Sequence, residues 1–130
     1  MIVSTDQLIA HAIGDYVLQS DWMANEKTKK SVAALAHVIT YTLPFLWLTR
    51  SPAALAIILS THFIIDRWRL ARYVCWAKNW LAPVANRPWA ACVATGYPPD
   101  RPAWLSVWLL IITDNLMHVV INGFTLKYLH

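Results

Sequence analysis

The chain has 130 residues, 58% of them hydrophobic and 14% charged, with eight Trp and a formal net charge of +4. Soluble domains average about 25% charged residues, and a chain this short has too little interior to hide so much apolar surface, so lipid is the expected solvent. Nucleic acid is not an expected partner, because the basic residues gather at the ends of apolar segments, as membrane flanks do. Cys75 and Cys92 form no CxxC or zinc-ribbon spacing, which leaves no disulfide framework or redox motif. No basic region precedes the first apolar stretch, so insertion is expected to use the spans themselves and not a cleaved signal.

The first predicted helix covers 5–24 and opens at Ser4-Thr5-Asp6-Gln7, residue types that cap helices. Its polar stripe, Gln7, His11, Asp15 and Gln19, is spaced by four throughout, so one face must bury against protein instead of lipid. The charged turn Asn25-Glu26-Lys27-Thr28-Lys29-Lys30 follows. A second helix over 31–49 carries His37 and Tyr41 one turn apart, with Pro44 as a kink. Arg50-Ser51-Pro52 turns the chain into a third helix, 53–80, apolar to Ile65 and then basic at Arg67, Arg69 and Arg72. Residues 83–102 hold Pro83, Pro88, Pro98, Pro99 and Gly96 and read as a loop or interfacial element, with Trp89 and Tyr97 suited to headgroups. The last helix, 103–128, is the longest apolar run, interrupted by Asp114, Asn115, His118 and Asn122.

These elements predict an all-α fold, a polytopic membrane four-helix bundle forming a single domain over 1–130. Four crossings put Lys27, Lys29, Lys30, Arg67, Arg69, Arg72, Lys78, Arg87 and Arg101 on one side and Arg50 and Lys127 on the other. That asymmetry orients the basic loops to the cytoplasm of a bacterial inner membrane, with both termini outside. A first helix that inserts only partly would keep the N-terminus inside.

His11 with Asp15, His62 with Asp66, and Asp114 with His118 are each four positions apart, and His37 stands in the remaining apolar stretch. On a helix such a pair projects from one face, one turn apart, which is how a helix offers two metal ligands together. Ionised groups cost about 2.5–3.5 kcal/mol each on insertion into lipid, so seven such residues need a neutralising partner. A divalent metal, zinc or manganese foremost, accepts both imidazole nitrogen and carboxylate oxygen, and the set is large enough for one or two ions. Hydrogen-bonded pairs gluing the bundle, at about 1 kcal/mol apiece, and a proton pathway are the alternatives. The expected metal ligands are therefore His11, Asp15, His37, His62, Asp66, Asp114 and His118. Asp15 or Asp66 is expected to serve as catalytic base, and Arg67 or Arg69 to hold an anionic substrate unless they only snorkel. Depths along the helices, about 10 Å for His37 from Lys30 and about 20 Å for Asp114 from Arg101, favour a site in the cytoplasmic half of the membrane.

The ordered pattern His11-Ala-Ile-Gly-Asp15-Tyr-Val-Leu-Gln19-Ser-Asp-Trp-Met, then His37, then Thr61-His62-Phe-Ile-Ile-Asp66-Arg67, then Asp114-Asn-Leu-Met-His118, resembles the domain of unknown function 3307 family over Asp6 to His118. The resemblance implies a small membrane protein of bacteria or their phages and implies no particular reaction. A more distant similarity, in the use of His and Asp within membrane helices, is to metal-dependent hydrolases of the inner membrane. HExxH, Gly-rich phosphate loops and GxSxG are all missing from the sequence. The expected function is a metal-dependent membrane hydrolase of a phosphoester or lipid-linked substrate, monomeric or a homo-oligomer. The alternative is a non-catalytic membrane protein with a structural or sensing metal or proton site that modifies the host envelope.

Overall fold

The computed structural model describes residues 1–84 and 87–129, and all the regular structure among them is helical. Helix α1 spans Thr5–Ala12, with Ser4 Oγ accepting from the Gln7 amide at 3.2 Å as its N-cap. It widens into a π-helical turn at Ile13–Val17, and the helix expected over 5–24 stops there. Ser20 caps a separate helix, α2, at Asp21–Glu26. Helix α3, Ser31–Thr42, tightens into a 3-10 turn at Leu43–Trp47, where Pro44 has no N–H to continue the α-helical ladder. Helix α4, Pro52–Trp68, starts on a proline whose missing donor costs nothing at a first turn.

The expected 53–80 helix divides after Trp68. Arg69 has φ +53°, a left-handed conformation costing a residue with a Cβ about 1–2 kcal/mol, and helix α5 resumes at Ala71–Lys78. Helix α6 is the short Trp89–Cys92, and α7 runs unbroken over Ala103–Leu129.

The chain forms two compact units, Met1–Trp68 with residues 118–129, and Arg69–Met117. In the first, Ala10, Tyr41, Phe45 and Ile58 form an apolar cluster flanked by Leu48, Leu55 and Leu126. Gly14 lets the π turn lie directly on α3, since a Cβ there would stand 2.6 Å from Tyr41 Cδ2 and 2.9 Å from its carbonyl oxygen.

In the second unit the proline-rich stretch is pinned to α5. Arg72 donates to the Val93 carbonyl at 2.9 Å and Asn79 to that of Gly96 at 2.6 Å, while Trp89 stacks on Tyr73 with ring centroids 4.7 Å apart. Cys75 and Cys92 are buried here and form no disulfide, and burial pushes the Cys92 thiol above its usual range.

Polarity in the first unit is inverted. Gln7, His11, Asp15, His37, His62, Asp66, His118 and Asn122 are buried, while Leu8, Ile9, Val32, Leu35, Ile39, Leu43, Trp47, Ile64, Val120 and Phe124 are exposed. Water-soluble domains place these classes the other way round. Among the described residues one helix, α7 with 27 residues, is long and apolar enough to cross a bilayer. Ser31–Trp47 is apolar but shorter, and α4 has 17 residues.

Candidate metal centre

Four segments of the first unit meet at one buried cluster. The π turn brings Asp15, α3 brings His37, α4 brings His62 and Asp66, and the C-terminal part of α7 brings His118. At 1.5 Å per residue, His37 lies about 9 Å from the start of α3 and Asp66 about 3 Å from the end of α4, so the cluster sits at one end of these helices.

The Nε2 atoms of His37 and His62 face each other at 3.0 Å. Asp15 Oδ1 stands 3.2 Å from the first and 3.4 Å from the second. Asp66 Oδ2 stands 3.3 Å from each. Neighbouring ligands of one ion held at about 2.0–2.1 Å are about 3.3 Å apart, so the imidazole pair with either acid has the spacing of three ligands of one ion. The two carboxylate oxygens concerned, Asp15 Oδ1 and Asp66 Oδ2, are buried, and neither Nδ1 of His37 nor that of His62 has a hydrogen-bond partner. Asp15, His37 and His62 form one group of donor atoms all within 4.8 Å of one another, and His62, Asp66 and His118 form another.

The second oxygen of each carboxylate meets a further histidine. Asp66 Oδ1 is 3.1 Å from His118 Nε2, and Asp15 Oδ2 is 3.5 Å from His11 Nδ1. All four oxygens of the two acids thus face imidazoles.

Of the seven residues expected to hold metal, six gather here. Asp114 does not join them: it lies one turn before His118 on α7, in the second unit, half-buried and in neither donor group. His118 meets Asp66 as well as sharing helical register with Asp114, because helical spacing puts two residues on one face without saying which further neighbour each will meet. Arg67 donates to the Thr28 carbonyl at 2.9 Å and the Ser31 hydroxyl at 3.2 Å, tying the α2–α3 turn to α4. Arg69, in the second unit, donates to the Ala94 carbonyl at 2.6 Å.

Two contributors were not expected from the sequence. Lys27 Nζ reaches Asp66 Oδ2 at 2.6 Å and His37 Nε2 at 3.4 Å from a turn that reads as a solvated flank. No sequence signal marks it among its neighbours Lys29 and Lys30, which pair with Glu26 and hold its carboxyl below the usual range, Lys30 foremost through its hydrogen bond. Tyr41 stacks on His62 with ring centroids 3.7 Å apart, and its hydroxyl takes the Asn122 amide at 2.6 Å and meets His11 Nδ1 at 2.8 Å. Its place one turn after His37 was its signal.

The family model described as protein of unknown function (DUF3307) matches residues 3–122. The chain belongs to that family. The matched span of this DUF3307 member runs past His118 and includes Lys27, Tyr41 and Asn122 as well as the six gathered ligands. No curated protein and no solved structure matches the chain.

Proposed function

We propose that this DUF3307 member is a multi-pass protein of a bacterial inner membrane whose buried centre holds a divalent ion, zinc or manganese, through His37, His62, Asp15 and Asp66. One observation carries the proposal: Asp15, His37 and His62, from three helical segments, bring a carboxylate oxygen and two imidazole nitrogens within 3.0–3.4 Å of one another, and Asp66 Oδ2 stands 3.3 Å from both imidazoles. The inverted polarity of the first unit supports the membrane setting. A 30 Å core needs about 17–25 residues, which α4 with 17 residues just meets and α1 with 8 does not, so α1 enters without crossing and the centre lies near one face of the bilayer.

The chemistry such an ion supplies is Lewis acidity and activation of water near neutral pH. At a membrane face this suits hydrolysis of a phosphoester or lipid-linked phosphate: the oxygen of water bonds to phosphorus, the P–O ester bond breaks, and the departing alcohol keeps the proton.

The Lys27–Asp66 contact favours a second reading, in which the cluster is an ion-paired network that only holds the helices together. Elemental analysis of the detergent-purified chain beside His62→Ala and Asp66→Asn separates the two. A stoichiometric ion in wild type, lost from both variants while helicity is kept, is the expected result, and a metal-free wild type refutes it. Lys27→Met gives an independent arm. It removes a like charge beside the ion and is expected to tighten manganese binding by about tenfold or more, whereas the network reading predicts a less stable protein and no metal.

A further inference from the structure

Two adjoining clefts on the first unit lie apart from the buried cluster. One, of about 450 Å³, is lined by apolar side chains of the π turn and the 3-10 turn, Leu18, Leu43 and Leu46 among them, and by one charged residue, Arg50. The other, of about 280 Å³, lies between α1 and the same 3-10 turn, and its one charged residue is Asp6. The clefts share Ile13, Pro44 and Trp47, so they meet along a common wall. Asp6 and Arg50 are both exposed, and neither side chain has an ion-pair or hydrogen-bond partner among the described residues. His37 stands near the start of α3 and Arg50 follows the 3-10 turn at its other end, about 20 Å further on at 1.5 Å per residue.

We infer that the paired clefts hold one zwitterionic aminophospholipid, with its phosphate on Arg50, its ammonium on Asp6 and its acyl chains along the apolar walls. The inference rests on the membrane setting proposed above and not on the metal. Walls that are apolar apart from one charge at each cleft suit a hydrocarbon chain with a polar head. The two charges select that head. A guanidinium holds phosphate well, but a neighbouring carboxylate works against a headgroup that is only anionic; an ammonium on the same headgroup turns the carboxylate into a partner. Trp47 is 83% exposed and stands three residues before Arg50, and indoles settle at the level of lipid headgroups. Leu43, one turn earlier, then faces the acyl chains.

Native mass spectrometry of the detergent-purified full-length chain, titrated separately with phosphatidylethanolamine and with phosphatidylglycerol of the same acyl chains, tests this. One ethanolamine lipid per chain is expected, held about tenfold or more tightly than the glycerol lipid. Arg50→Gln should weaken it by a similar factor. Asp6→Asn should abolish the preference between the two lipids without weakening the glycerol lipid. Both side chains are exposed, so the fold is expected to survive, and the comparison of lipids on wild type stands without the variants. Equal retention of the two lipids by wild type, or an ethanolamine lipid held as tightly by Arg50→Gln, overturns the inference and leaves the proposed function standing. Retention of neither lipid also overturns it, and if brominated acyl chains then fail to quench the tryptophans, the membrane setting falls with it.

Discussion

Tyr41 does the work of several partners: its ring lies on His62, and its hydroxyl joins α1 to α7 through His11 and Asn122. Tyr41→Phe keeps the ring and removes the hydroxyl, taking away the acceptor of a buried amide, which costs about 1–3 kcal/mol. The expected outcome is a lower unfolding midpoint in detergent with the proposed ion on His37 and His62 still bound; an unchanged midpoint would show that the hydroxyl bonds contribute nothing. At this scale the sequence was informative where periodicity applied. Spacing by four identified His11, Asp15, His62, Asp66 and His118 as inward-facing groups. It did not separate Asp114, which shares helical register with His118, from the first unit's residues, although Asp114 falls in the other unit. It also passed over Lys27, since a lysine in a charged turn looks the same whether it points to water or folds back onto a carboxylate.

The π turn at Ile13–Val17 is the element that matters most for the centre, because it carries Asp15 and rests on α3 at Gly14. Such turns are rare and concentrate at functional sites. A methyl group at residue 14 would collide with the ring and backbone of Tyr41, so the turn must lift from α3. Gly14→Ala is accordingly expected to destabilise the chain by about 1–3 kcal/mol and to weaken metal binding together with stability; thermal melts with and without added manganese check both. Helix content was readable from composition and period, and so were the proline-induced change after Thr42 and the cap at Ser4, whereas the cap at Ser20 lay inside the continuous helix expected over 5–24. The interruptions were not. A left-handed Arg69 gives no warning in sequence, because arginine is neither glycine nor asparagine, and the widened turn leaves a stripe of Gln7, His11, Asp15 and Gln19 looking like one continuous helix.

For the molecule as a whole, the decisive property is that its first unit buries Asp15, Asp66 and four imidazoles while many large apolar side chains, Ile9, Val32, Leu43 and Trp47 among them, are exposed. Trp104 and Trp108, near the start of α7, are also exposed, as is Trp47 at the end of the 3-10 turn. In vesicles made with lipids brominated along their acyl chains, tryptophan fluorescence is expected to be strongly quenched. Substituting Trp104 and Trp108 by Phe should remove a large part of that effect. Fluorescence indifferent to bromine would place these surfaces in water and end the membrane reading. The Lys27–Asp66 contact carries a further consequence at this scale. Under the proposed function, a divalent ion would claim the carboxylate oxygen that the lysine ammonium holds, so filling the centre would exchange one cation for another. Lys27 belongs to the turn joining α2 to α3, next to the exposed Lys29 and Lys30, so its release on metal binding would add a third exposed ammonium to that turn.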